Sequence, residues 1–244
     1  MQNTNLKLFC LIIAILILSG CSMNKNIKPN TLSAKEACQG FVMLFDGMDK
    51  KLSNFRGVVK EEIPLGVWIV KEGQILCVPR SERPEGAKGS IVTKKQFSDF
   101  DLKLEYKLNP EYEGNINSGI KYFVYPGTEL GLEYQIFDSD MEISGPHALG
   151  DLYDMLEATR QQARPRGMWN EVRIVSEGKH VEHWLNGKKL LEFERGSEAF
   201  RTAIANSKFK NREAFGEAEK GHILLQDHGG EIAFRNIRIK ALGP

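Results

Sequence analysis

Glu133 and Gln135 stand two apart in the run Glu133–Asp138, EYQIFD. On an extended strand residues two apart share a face. The carboxylate and the amide therefore point the same way, with Phe137 following them, and Tyr134 and Ile136 point to the other side. A carboxylate beside an amide on an open sheet face binds and orients hydroxyl groups. Glu and Gln are weak strand formers, which favours a working role over a merely solvated face. A second polar group gathers in Gly221–Lys240, GHILLQDHGGEIAFRNIRIK, where Gln226, Asp227, His228 and Arg235 stand around Gly229-Gly230. Histidine is the side chain most easily tuned to act as acid or base near neutral pH, so His228 is a candidate for that work.

The remaining histidines offer less. His180 and His183 are three apart, so on a regular strand they face opposite ways and cannot share one metal ion. His180 shares its side with Trp184, where a cleft could lie, and His183 shares its side with Val181 and Leu185. His147 falls in the loop ahead of Leu149–Tyr153. Asp138, Asp140 and Glu142 alternate but lack the glycine and the spacing of a calcium loop. No resident cofactor is expected, and a divalent metal is left open. Phosphate-binding glycine loops, dinucleotide fingerprints, serine nucleophile elbows and zinc helix motifs are all missing from the sequence. A formal net charge of +1, without a basic cluster interleaved with aromatics, argues against a nucleic-acid partner.

The elements that must position these residues are short strands. Gly221–Lys240 reads as two strands closed by a tight turn at Gly229-Gly230, a terminal hairpin. Asp101–Leu108 alternates Leu102, Leu104, Tyr106 and Leu108 against Asp101, Lys103, Glu105 and Lys107, the period of a strand with one wet face. Glu72-Gly73, Glu177-Gly178 and Asn186-Gly187 mark hairpin turns. Ser33–Glu36 fits a capping box that starts a short helix, and Ser197–Phe209 is a second helical candidate. Strands this short and this frequent predict an all-β fold, an antiparallel two-sheet jelly-roll sandwich with one or two short helices.

The chain of 244 residues opens with Lys7, an apolar run Leu8–Leu18, and Leu18-Ser19-Gly20-Cys21. Such an anatomy predicts a secretory signal over 1–20, too short an apolar run to span a bilayer comfortably. The small residues before a cysteine resemble a bacterial lipoprotein signal, with Cys21 as the lipidated first residue and acyl chains holding the protein to the cell envelope. A polar tether over 21–32 and a single domain over 33–244 complete the expected organisation. Cys38 and Cys77 are left after processing, either bridged or two small buried hydrophobes.

GFVMLFDG (40–47), NSGI (117–120), EYQIFD (133–138), GDLYD (150–154), WNEVRI (169–174), HWLNGKK (183–189) and GHILLQDHGGEIAFRNIRI (221–239) occur in this order. Together they resemble the 3-keto-disaccharide hydrolase family, whose members share a concanavalin-like fold. The resemblance implies cleavage of glycosides already oxidised at sugar carbon 3, a small carbohydrate substrate, and a partner oxidoreductase that makes the 3-keto sugar. A ketone at C3 acidifies the proton on C2, and the enolate left by its removal expels the group on C1. That chemistry needs a base, a stabiliser for the enolate oxygen and an acid for the leaving oxygen. On this reading His228, His183 and Glu133 form the catalytic set, with one of the two histidines as base or acid. Gln135, Gln226, Asn117, Tyr153 and Trp184 hold substrate, and Arg235 steadies oxyanion charge. The competing expectation is a non-catalytic carbohydrate-binding module, stacking sugars on Trp68, Trp169 or Trp184.

Overall fold

The structure is a computed structural model that describes residues 28–138 and 143–243. The proposed signal, Cys21, and the Asp140 and Glu142 positions lie outside the described residues. No helix among the described residues is long and apolar enough to cross a membrane.

The chain runs α1 (Ala34–Cys38), β1 (Val42–Met43), β2 (Phe55–Gly57), β3 (Trp68–Lys71), β4 (Gln74–Cys77), a 3-10 turn (Arg80–Glu82), β5 (Ile91–Thr93), β6 (Phe100–Leu108), β7 (Asn117–Val124) and β8 (Leu132–Phe137). It continues through β9 (Asn170–Glu177), β10 (His180–Leu185), β11 (Lys188–Glu194), α2 (Glu198–Ala205), β12 (His222–Leu225) and β13 (Ile232–Ala241). Two antiparallel sheets result. The larger has the order β11-β10-β9-β6-β13-β4-β3, with β1 also on β13, and the smaller has the order β2-β5-β12-β7-β8. The fold is thus the antiparallel jelly-roll sandwich that strand count and alternation predict, with the concanavalin-like form that the family resemblance implies.

Alternation builds the core between the sheets. Leu102, Leu104 and Tyr106 of β6, Val181 and Leu185 of β10, Ile120 and Tyr122 of β7, and Tyr134 and Ile136 of β8 are all buried there. Asn186-Gly187 makes the β10–β11 hairpin with positive φ at both residues, and Glu72-Gly73 does the same for β3–β4. This is the conformation a two-residue turn needs to match strand twist. The β9–β10 turn falls one residue later than expected, at Gly178-Lys179, since Glu177 still pairs with His180. α1 carries its capping box, Ser33 with Glu36. Cys38 is exposed and Cys77 buried, both as free thiols, so no bridge joins them.

The terminal hairpin is corrected. β12 pairs with β5 and β7 in the smaller sheet, whereas β13 pairs with β1, β4 and β6 in the larger. Gly229-Gly230 therefore lies on a crossing from one layer to the other. Local sequence marks the turn, but it does not mark which strand each arm will pair with.

His183 is also corrected as a cleft residue. It is fully buried between the sheets, on the inward side with Val181 and Leu185. The register irregularity of the β10–β11 pair leaves Leu190 unmatched on β11, while β10 stays in regular register with β9, so Trp184 keeps facing outward. His183 Nδ1 lies 2.9 Å from the Gly150 carbonyl and Nε2 2.9 Å from the Tyr122 hydroxyl. A carbonyl only accepts, so Nδ1–H donates and Nε2 accepts from Tyr122. Burial lowers the ring from 6.5 to about 4, despite the help of the Gly150 carbonyl. The unfolded chain thus takes a proton that the native chain refuses between those two values. Stability is intact above pH 6.5 and is lost progressively as pH falls toward 4, by roughly 3 kcal/mol at most. Thermal melts at pH 7 and pH 5 should show that loss, and His183→Gln should melt lower at pH 7 yet shift less between the two. An unchanged pH dependence in the variant would contradict the assignment.

Candidate functional site

The outer face of the smaller sheet is built by register. Gly119 pairs with Gln135 and Lys121 with Glu133, and the Gln226 N–H donates to the Gly119 carbonyl at 3.0 Å. Asn117, Gly119 and Lys121 of β7, Glu133 and Gln135 of β8, and Leu224 and Gln226 of the β12 line therefore share one side. Glu133 is 5 % exposed and Gln135 2 %. A methyl group added to Gly119 would overlap Glu133 Oε1. The missing Cβ is thus the space in which the carboxylate lies, flanked by two amides.

Those amides have spare capacity. Gln135 Nε2 donates to the His147 carbonyl at 3.2 Å, but its Oε1 and the Oε1 of Gln226 are buried without a hydrogen-bond partner among the described residues. A buried carbonyl left unpaired costs free energy unless something donates to it. A ligand hydroxyl group is a donor of the kind that would satisfy both. Lys121 Nζ stands 3.4 Å from Glu133 Oε2. Burial pushes the Glu133 carboxyl above the usual carboxylate range, and Lys121 and Lys208 pull it back without cancelling the rise. Such a group is suited to proton transfer nearer neutral pH than an exposed glutamate.

The loop after β8 closes over this face. The Tyr153 N–H donates to the Glu133 carbonyl at 3.0 Å, and the Gln135 N–H to the Asp151 carbonyl at 3.1 Å. Asp151, fully buried, holds the loop by accepting from the Ala148 and Ala158 N–H groups at 2.7 Å each and from Arg160 at 2.6 Å. His147 packs edge-on against Tyr153, with ring centroids 5.2 Å apart, and its Nε2 faces Asp154 Oδ1 at 2.9 Å. Lys208 Nζ sits 4.1 Å above the Tyr153 ring. Burial, and then the negative charges of Glu133 and Asp154, raise the Tyr153 hydroxyl above its ordinary value.

The structure thus brings Glu133, Gln135, Gln226, Asn117 and Tyr153 together and sends the four other candidates elsewhere. His183 is in the core. Arg235 lies on the outer face of the larger sheet, where its Nε donates to Glu105 at 2.6 Å and its guanidinium covers Trp169 at 4.0 Å. Trp184 lies on that same far face, with Nε1–H donating to Glu182 at 2.8 Å and Arg173 over its ring. His228 is exposed on the crossing between the layers. Asp227, its neighbour, is a clamp. It accepts both guanidinium arms of Arg83 at 2.8 Å, and the N–H groups of Gly89 and Gly229 at 2.9 and 3.0 Å. Burial alone would raise its pKa, but Arg83 and the two N–H groups outweigh it and leave the carboxyl lowered.

Four residues escaped the sequence reading as site members. Lys121 alternates with Asn117 and Gly119, so parity could have found it. His147, Asp154 and Lys208 carry no periodic signal, because loop closure alone gathers them. A possible metal-ligand set also exists, far from Glu133. His180, Glu182 and Glu192 place their ligand atoms within 4.8 Å of one another on the outer face of the larger sheet. Lys189 already bonds both Glu182 and Glu192 there.

The smaller sheet's outer face thus holds a buried carboxylate between two amides, an arrangement able to bind hydroxyl groups and move a proton. The chain belongs to the family of the 3-keto-alpha-glucoside-1,2-lyase-like domain, which residues 40–240 match. It is 28% identical over 259 residues to the 3-keto-disaccharide hydrolase of Bacteroides thetaiotaomicron, an alignment covering 91% of this chain and 86% of that one. Two crystal structures from Parabacteroides distasonis, each described as a candidate glycosyl hydrolase, are also similar. The first has a TM-score of 0.77 at 28% identity, covering 88% of this chain and all of that one, and the second has 0.63 at 27%, covering 83% and 99%.

Proposed function

We propose that this protein cleaves the glycosidic bond of 3-keto-glycosides or 3-keto-disaccharides by acid–base chemistry at C2 and C1. The observation that carries the reading is the buried Glu133 carboxylate lying across bare Gly119 between the unpaired amide oxygens of Gln135 and Gln226. In the first step Glu133 takes the C2 proton, and the electron pair of that bond moves onto the C3 oxygen, whose charge Lys121 steadies. In the second step the pair returns, the C1–oxygen bond breaks and the leaving oxygen takes a proton. Exposed His228, two residues past Gln226, is the candidate to give it. Water then adds at C1 and the proton returns to C2, so the net change is hydrolysis with no oxidant or reductant. Asn117 and Tyr153 hold sugar hydroxyls. An upstream oxidoreductase would supply the ketone, and a lipid on Cys21 would hold a single domain over 33–244 at the envelope.

The binding-module reading is less well supported. Trp68 is 5 % exposed, and the rings of Trp169 and Trp184 are covered by Lys107, Arg235, Arg173 and Lys189, which leaves no open aromatic platform among them. The test is release of the leaving group from a 3-keto-glycoside and from its unoxidised parent. Release from the ketone alone is expected. Binding without release from either would favour the binding module, and equal release from both would mean ordinary glycosidase chemistry.

A further inference from the structure

Beside the sugar face lies a hollow of about 920 Å³ lined by both apolar and polar groups. Its apolar side is the β2–β3 connection, where Val58, Val59, Ile63, Pro64 and Leu65 gather. Val59 is 80% exposed and Leu65 89%. Large aliphatic side chains held that open on a rim mark a surface that binds something.

The hollow adjoins the Glu133 face along one row of residues. Gln135 pairs with Gly119, Gly119 takes the N–H of Gln226, and the register Leu224↔Val92, Leu225↔Ile91 places Gln226 opposite Ser90. The pair Gly57↔Ile91 then places Val58 on the far side of Ser90. Two strand spacings, about 10 Å, separate Gly119 from Ser90. One sugar ring over Gly119 and Gln226, turned with C1 toward β5, would set its C1 substituent over Ser90 and Val58. The divider is Glu129, whose carbonyl accepts from Lys121 Nζ at 3.2 Å and whose carboxylate takes the Ser90 N–H at 3.4 Å. Glu129 is exposed, so it can move aside.

Resting on the proposed function, we infer that this hollow is the leaving-group subsite and that it takes an apolar, planar aglycone of the phenol type rather than a second sugar. A second sugar would need polar groups converging from all sides, as Gln135, Gln226 and Glu133 do for the first. The β2–β3 wall offers five aliphatic side chains against two charged ones, Lys60 and Glu62.

The experiment compares wild type with the double variant Val59→Asp/Leu65→Asp. Both positions are exposed, so the fold tolerates the change. The substrates are a 3-keto-glucoside of 4-nitrophenol and a 3-keto-disaccharide, and binding of free 4-nitrophenol is measured in parallel. Wild type should prefer the aryl substrate in kcat/KM, and the variant should lose about tenfold on it, with weaker 4-nitrophenol binding and a distinctly smaller loss on the disaccharide, whose leaving sugar makes less use of the aliphatic wall. Equal loss on both substrates, or no loss on either, overturns the subsite. If wild type turns over neither substrate, the proposed activity fails. In that case 4-nitrophenol binding that the variant weakens keeps the aglycone site, and binding that is absent or unchanged removes it.

Discussion

Glu133→Gln should lower kcat/KM on a 3-keto-glycoside by at least about 10²-fold and raise the melting temperature at neutral pH. The two effects have one cause. Burial holds the Glu133 carboxyl above the usual range, so the native state keeps its proton to higher pH than the unfolded chain does. Such a group favours the fold at low pH, and that contribution is lost as pH rises through its native value. Above that value the ionised carboxylate is a standing cost, which the amide removes. The variant's gain in melting temperature should therefore shrink as pH is lowered. A variant that loses activity and also melts lower at pH 7 would show that Glu133 is structural. Gly119→Ala is the complement. Its methyl would displace Glu133 Oε1 without changing any titrating group, so it should match the activity loss with no pH-dependent stability gain. Full activity in Gly119→Ala would mean the carboxylate does not work from where it lies.

Arg83→Met should cost about 3–5 kcal/mol, because it leaves Asp227 charged and buried without its partner. The side chains of Arg83 and Asp227 are 1% and 2% exposed, so water cannot replace the lost bonds. For a domain of this size a loss of that order lowers the melting temperature by roughly 10 °C. Replacing Asp227 as well cannot be offset by apolar packing, since its carboxylate also takes the Gly89 and Gly229 N–H groups. The double variant Arg83→Met/Asp227→Leu should therefore remain well below wild type. Equal stability of the double variant and wild type would mean that these two backbone groups find other partners.

Alternation made much of this legible. It assigned Glu133 and Gln135 to one face and Tyr134 to the core, and it assigned His183 to the apolar side of β10, against the acid–base role that chemistry suggested for it. What it could not carry was pairing. Gly229-Gly230 looks like the tip of a hairpin because a turn between layers and a turn within one layer use the same residues. Arg235 was drawn toward the polar turn by proximity in sequence. On β13, Asn236 has positive φ and the pairing with β6 shifts between Arg235 and Arg238, so Phe234 and Ile237 both reach the core and Arg235 faces away. His147, Asp154 and Lys208 meet only through loops whose closure has no period to read.

The crossing at Gly229-Gly230 has a consequence for assembly. β12 lies between β5 and β7, and β13 between β6 and β4, so the last two strands of this domain are interior members of both layers. A nascent chain that stops before Gly221 has a gap in each sheet and open edges on both sides of each gap. The domain therefore has no stable amino-terminal half, and it completes its fold only once β13 has emerged from the ribosome.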